Sequence, residues 1–287
     1  MKRILILSGK GGTGKTTAAA AFIRFAHARA IADCDVDAPN LHIVTSMQTA
    51  PKRSDFLGSQ KAQINQKQCI QCGLCMQNCR FDAIRKREDD YYIEDYACEG
   101  CGVCSCICPE QAVTMQTDIA GELSLYQEDT VFSTAALKMG RGNSGKLVTE
   151  VKLAMLKAAP ETDLAIIDGS PGIGCPVIAS ISGMDLVLIV TEPTLSGLSD
   201  LERLLKTTAT FQTKTAVCIN KWDTSPENAA LIEQFCAENS IPFAGKIPYD
   251  RNASAAVNAG RSIADIDCPA RDALFEVFQN TIRELKL

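Results

Sequence analysis

The chain has 287 residues, 46% hydrophobic side chains and a formal net charge of −5. That length exceeds a single small-core module and suits one large α/β domain with a smaller companion. Interspersed charges argue against nucleic-acid binding as the main role, although they leave room for a local basic patch. No apolar run approaches the roughly eighteen residues that a membrane-spanning helix needs. The apolar stretch after Met1 is also too short for a signal peptide, so a soluble cytoplasmic protein without stable membrane insertion is expected. In that compartment, clustered thiols bind metal more often than they form disulfides. Nine of the fourteen cysteines fall between Cys69 and Cys108.

The first element is an apolar strand at Ile4–Leu7, followed by GKGGTGKT from Gly9 to Thr16 and then the helical run TTAAAAFIRFAHARA. Strand, glycine loop and helix together match a phosphate-binding loop. Its backbone N–H groups, from Gly9, Lys10, Gly11, Gly12, Thr13, Gly14, Lys15, Thr16 and Thr17, can close around phosphates at a helix N-terminus. Lys15 is placed to reach the β- and γ-phosphates and Thr16 to hold Mg²⁺.

A second lysine inside this loop, Lys10, resembles the deviant Walker A of MinD/ParA/Mrp-type (SIMIBI class) ATPases and of the related nitrogenase iron protein. The resemblance implies two subunits facing each other across two ATP molecules, with Lys10 reaching the partner's nucleotide as an arginine finger does. It also implies a homodimer, or a heterodimer with a related ATPase. ADCDVDAPN resembles the family's switch I, with Asp35 in the place of the carboxylate that orients the attacking water. Asp33 and Asp37 are then Mg²⁺ outer-shell or solvated groups. His27 and His42 are given no chemical role.

PKRSDFLGSQ reads as a connecting segment into the cysteine-rich stretch. There Cys69, Cys72, Cys75 and Cys79 recur after 29 residues as Cys98, Cys101, Cys104 and Cys108, with Ala83 and Ile84 recurring as Ala112 and Val113. This is a duplicated unit with C-x2-C-x2-C-x3-C spacing, which in two-cluster ferredoxins places the fourth cysteine of each half on the other half's [4Fe–4S] cube. Cys69, Cys72, Cys75 and Cys108 are assigned to one cluster, and Cys98, Cys101, Cys104 and Cys79 to the other. Two structural zinc sites are the competing reading, but zinc modules rarely use this triple spacing. Cys106 interrupts the pattern and is expected to be a packed or hydrogen-bonding thiol. TDIAGELSLY suggests a pair of return strands turning at Gly121.

Helices are expected around 147–158, 198–208 and 226–239, alternating with the strand-like runs LAIID, DLVLIVTE, KTAVCIN and PFAGKIP. Continuous apolar strands separated by helices indicate a parallel, doubly wound sheet. By the resemblance, Asp168 is the Walker B-like acid ahead of switch II, Asn220 reads adenine, and KIPYD at Lys246–Asp250 is the last nucleotide-side loop. Cys175 lies seven residues after Asp168, matching by offset one bridging cysteine of the nitrogenase iron protein. The other would fall near Asn143, where none stands, so Cys175 is read as a switch II residue. The tail spaces Leu274, Phe278, Ile282 and Leu285 along one helical face with balanced charges, which suits packing onto the sheet.

The expected organisation is a P-loop NTPase domain at 1–60 and 118–287, interrupted at 61–117 by a bacterial-ferredoxin-like α+β domain. The resemblance then implies an ATPase stimulated by a redox or metallocluster partner, with ATP-gated electron transfer as its task. An Mrp-like role in metal-centre assembly and a MinD-like positioning role are the alternatives. A nicotinamide or flavin reductase is excluded, because the opening loop lacks dinucleotide-binding spacing.

Overall fold

The computed structural model describes residues 1–45 and 47–285. It opens with β1 (Lys2–Ser8), α1 (Lys15–Ala26) and β2 (Ala30–Asp33). Next come β3 (Lys52–Leu57), β4 (Lys61–Ile64), α2 (Leu74–Gln77), β5 (Ile84–Arg87) and β6 (Asp90–Ile93). They are followed by α3 (Val103–Cys106), β7 (Val113–Gln116), β8 (Ile119–Gln127) and β9 (Val131–Leu137). The remainder begins with α4 (Ser144–Ala158), β10 (Leu164–Pro171), α5 (Cys175–Ile181), β11 (Leu186–Thr191) and α6 (Leu195–Thr210). It ends with β12 (Lys214–Asn220), α7 (Pro226–Glu238), β13 (Phe243–Ile247), α8 (Arg251–Asn258) and α9 (Pro269–Leu285).

Two compact units result. The first comprises 1–53, 123–136 and 144–287; the second comprises 54–122 and 137–143. In the first, the strand order is β13-β12-β11-β1-β10-β2-β9, with every neighbouring pair parallel. Ile4, Leu5, Ile6 and Leu7 of β1 are all fully buried, because helices cover both faces of a parallel sheet and leave no solvated side. One face packs α1 and α9 around Phe22, Ile31, Phe132 and Leu274. Leu274 and Leu285 are buried, while Phe278 and Ile282 pack partly buried against the same core. Lys286 and Leu287 of the tail lie outside the described residues.

The second unit preserves the 29-residue period in its backbone. Helices α2 and α3 begin at residues 74 and 103; β4 and β6 begin at 61 and 90, and β5 and β7 at 84 and 113. Strand β4 pairs antiparallel with β7, and β5 with β6. Gly73 and Gly102 both have positive φ, at 73° and 78°, immediately before the short helices. Glycine adopts that left-handed turn without the strain a Cβ would impose.

Three local expectations differ from the structure. Residues 52–57 form strand β3 beside β8 instead of a linker, since ladder hydrogen bonds outweigh its polar composition. Gly121 lies inside the continuous strand β8 and has no positive φ to support a turn; the chain reverses at 128–130 instead. The first helix ends at Ala26, where His27 takes a left-handed φ of 47° and donates its amide back to the last turn.

Candidate functional site

The glycine-rich loop that matches a phosphate-binding pattern joins β1 to α1. Gly14 has a φ of 92°, which strains any side chain, and a Cβ there would meet the Asn220 amide nitrogen at 2.2 Å and displace it. Register places Ile6 beside Asp168 and Asp168 beside Asp33, which gathers the ends of three parallel strands under the loop. Ligands in such folds bind where these carboxyl ends meet.

Lys15 is 5% exposed and Asp168 fully buried; Lys15 Nζ lies 2.9 Å from Asp168 Oδ1 and 3.6 Å from Asp35 Oδ2. Burial disfavours the Lys15 ammonium, but Asp168, Asp35 and Asp33 outweigh it and hold its pKa above the ordinary value. Thr16 donates its hydroxyl to Asp168 Oδ2 at 2.7 Å. Burial also raises the Asp35 carboxyl, with Lys15 opposing the shift. A cavity of about 560 Å³ runs along Gly11–Thr17, Asp35, Asp37 and Ser170. A neighbouring one of about 270 Å³ is lined by Gly12, Gly14, Asn220, Lys221 and Ile247–Asp250. Together they offer backbone amides and the Lys15 ammonium beside a partly apolar slot.

Asn220 donates Nδ2–H to the Thr13 carbonyl at 2.7 Å and accepts from the Lys221 amide at 3.0 Å. Its side chain therefore ties β12 to the loop while lining the smaller cavity. Asp33 is not solvated: it is fully buried and receives the amides of Asp35, Asn40 and Leu41 at 3.0–3.1 Å. Burial and the nearby Asp168 push its pKa up to about 7, against those amide bonds. This clamp shapes the switch I-like segment. Its only sequence signal is the D-x-D pair at 33 and 35. Asp37 is exposed.

Lys10 reaches Glu192 at 3.2 Å, a contact with no signature in the sequence. Another unforeseen residue is Lys152 of α4, whose buried ammonium donates to the carbonyls of Ala179, Ser180 and Ser182 at 2.5–3.0 Å. It satisfies the acceptors left at the C-terminal end of α5. Cys175 is the exposed first residue of that helix, and a side chain at Gly145 of α4 would begin 3.2 Å from its carbonyl oxygen.

In the second unit the eight repeated cysteines separate into two sets. One cavity is lined by Cys69, Cys72, Cys75 and Cys108, together with Ile64, Tyr91 and Val113. The other is lined by Cys79, Cys98, Cys101 and Cys104, together with Ala62, Ile93 and Met115. Each takes three cysteines from one repeat and the fourth from the other. The Ala83 amide donates to Cys79 Sγ at 3.4 Å and the Ala112 amide to Cys108 Sγ at 3.3 Å, so the fourth cysteine of each repeat is held by the same backbone contact. Four sulfurs, apolar walls and amide donors form a donor set suited to a [4Fe–4S] cube. Among the described residues, no three His, Cys, Asp or Glu side chains close around the position of a single metal ion. Cys106 is exposed and not packed, because it lies two residues beyond Cys104 on α3 and so projects from the opposite side of that turn.

A profile of the CobQ/CobB/MinD/ParA nucleotide binding domain matches residues 4–263. An uncharacterized protein of Methanocaldococcus jannaschii is 35% identical over 253 residues, covering 86% of both chains. The iron-sulfur cluster carrier protein of Pyrococcus abyssi is 23% identical over 303 residues, covering 99% of this chain and 86% of that one. A 7Fe ferredoxin of Hydrogenibacillus schlegelii is 35% identical over 52 residues, or 18% of this chain and 67% of the ferredoxin. The MinC:MinD cell division complex of Aquifex aeolicus contains a chain of similar fold, with TM-score 0.57, 17% identity and coverage of 99% and 96%. No described helix is long and apolar enough to cross a membrane.

Proposed function

The chain belongs to the CobQ/CobB/MinD/ParA nucleotide-binding family, and on that footing we propose that it binds and hydrolyses ATP and couples the nucleotide state of a dimer to electron transfer through two [4Fe–4S] clusters. The observation carrying this reading is that two four-cysteine cavities, each completed across the repeat, occur in one chain with a phosphate-binding loop. The resemblance to the 7Fe ferredoxin supports a cluster-bearing module at 61–117. When bound, each cluster supplies a one-electron centre whose potential depends on the charges and hydrogen bonds around its sulfurs.

The chain's own residues divide the work. Lys15, which pairs with Asp168, would serve the β- and γ-phosphates, and the Thr16 hydroxyl with Asp168 beside it would hold Mg²⁺. Asp35 orients the attacking water, and Lys10 crosses to the partner subunit's nucleotide. Asn220 and the Lys246–Asp250 loop receive the base. The segment after Asp168 leads to Cys175, against which Gly145 of α4 packs. The six residues Lys138–Asn143 just before α4 belong to the second unit, where Arg141 pairs with Asp95 and Asp118. A shift of α5 on nucleotide exchange would be felt by α4, which packs against it.

The test is the electron paramagnetic resonance spectrum of the dithionite-reduced protein alone, with ADP and with a non-hydrolysable ATP analogue. Nucleotide-dependent spectra are expected, and three identical spectra would remove gating. A second reading, assembly or delivery of a metal centre, draws on the resemblance to the Pyrococcus abyssi carrier. It requires nucleotide-dependent loss of iron to an apo-acceptor protein, which electron transfer does not.

A further inference from the structure

Glu192 follows β11 and divides its carboxylate between two lysines. Its Oε2 lies 3.2 Å from Lys10 Nζ and its Oε1 2.7 Å from Lys221 Nζ. Lys221 also donates to the Gly12 carbonyl at 3.2 Å, so it is held at two points. The Lys10 side chain is 37% exposed and that of Glu192 17%. Around Lys10 the backbone is fixed: Ser8 and Thr13 hydroxyls both donate to its carbonyl, at 2.9 and 3.5 Å. The loop is also closed on α6, since a Cβ at Gly9 would fall 2.2 Å from Asp200 Cβ. Lys10 can therefore change partner by side-chain rotation while the loop stays in place. Burial alone would raise the Glu192 carboxyl, but the two lysines hold it below its ordinary range.

We propose that Glu192 is a positioning residue that retains Lys10 within its own subunit until a nucleotide-loaded partner arrives. This rests on the cross-subunit role given to Lys10 above. Lys221 makes the exchange feasible. When Lys10 departs, Glu192 keeps one cation at 2.7 Å, so no half-buried carboxylate is stranded without a counter-ion. A triphosphate carries more negative charge than one carboxylate, so the partner's nucleotide outcompetes Glu192, whereas an empty partner does not. The shared carboxylate thereby suppresses pairing of empty subunits and yields to loaded ones.

The experiment follows dimerisation of the full-length, cluster-loaded protein by analytical ultracentrifugation, with and without a non-hydrolysable ATP analogue. Glu192→Gln is expected to lower the protein concentration for half-dimerisation by about twofold to fivefold, the range of a partly exposed ion pair. Lys221→Met leaves Glu192 with Lys10 as its sole partner in this trio and is expected to shift it the opposite way. In a Lys10→Ala background, Glu192→Gln should bring no gain. Melting temperature and fluorescent-nucleotide affinity identify variants that fail to fold or load. In that event Glu192→Asp, whose shorter side chain loosens both contacts, replaces Glu192→Gln in the same cycle. Dimerisation unchanged by Glu192→Gln, or a gain that persists without Lys10, would overturn the latch while leaving the role of Lys10 standing. Wild-type dimerisation by Lys10→Ala itself would instead remove the cross-subunit role, and the latch with it.

Discussion

Asp33 and Asp168 stand at matched register positions on the neighbouring parallel strands β2 and β10, both fully buried, with Lys15 over them. Two like charges at this spacing cannot both be solvated by the protein. Asp168 has the Lys15 ammonium at 2.9 Å, and Asp33 receives three backbone amides.

A pH dependence follows from the Asp33 pKa of about 7. An unfolded aspartate titrates near about 3.9, so between these values the folded chain binds more protons than the unfolded one. Stability from this group is therefore fully present at low pH and is lost as pH rises from about 4 to about 7. Asp33→Asn should flatten that fall. Anaerobic thermal melts from about pH 5.5 to 8 test it, and parallel slopes for the two proteins would refute it.

Lys15→Met should abolish detectable ATP binding in equilibrium dialysis, since the loop keeps its amides but loses its buried cation. It also leaves Asp168 and Asp35 facing each other without Lys15. Breaking a buried ion pair from one side costs about 3–5 kcal/mol, so the nucleotide-free variant should melt well below the parent. Retained nucleotide affinity would show that phosphate binds elsewhere.

The sharing of cysteines between repeats is open to a double-mutant test. If Cys69 and Cys108 hold the same cluster, Cys69→Ala and Cys108→Ala should each remove about half the iron, and the double variant no more than either. Loss of nearly all iron from the double variant would place the two cysteines on different clusters. Iron analysis of anaerobically purified protein decides between them.

Thiol reactivity separates buried from exposed cysteines. Burial pushes Cys34 and Cys218 up to about 12, so neither offers thiolate near neutral pH. Cys175 is exposed at the start of α5. Iodoacetamide should modify Cys175 in the native protein and Cys34 only after unfolding, with an ATP analogue slowing the Cys175 reaction. Mass spectrometry of timed samples reads this directly, and comparable rates at Cys34 and Cys175 would overturn it.

Much of this molecule is legible in its residues because the constraints are local. A phosphate-binding loop needs glycines and a lysine at set intervals, and a cube needs thiols at set intervals, so GKGGTGKT and the 29-residue cysteine period announce themselves. The same local logic fails at 52–57, where a polar stretch is held in β3 by its neighbour β8, and at Gly121, which lies within a strand that makes no turn there. The solvated alternative for Asp33 fails because the Asn40 and Leu41 amides fold back onto it, which nothing in its neighbours tells. Lys10, Glu192 and Lys221 are separated by up to 211 residues. Their meeting depends on which strand ends lie side by side under the loop, and spacing along a chain holds no record of partners that only parallel-sheet order brings together.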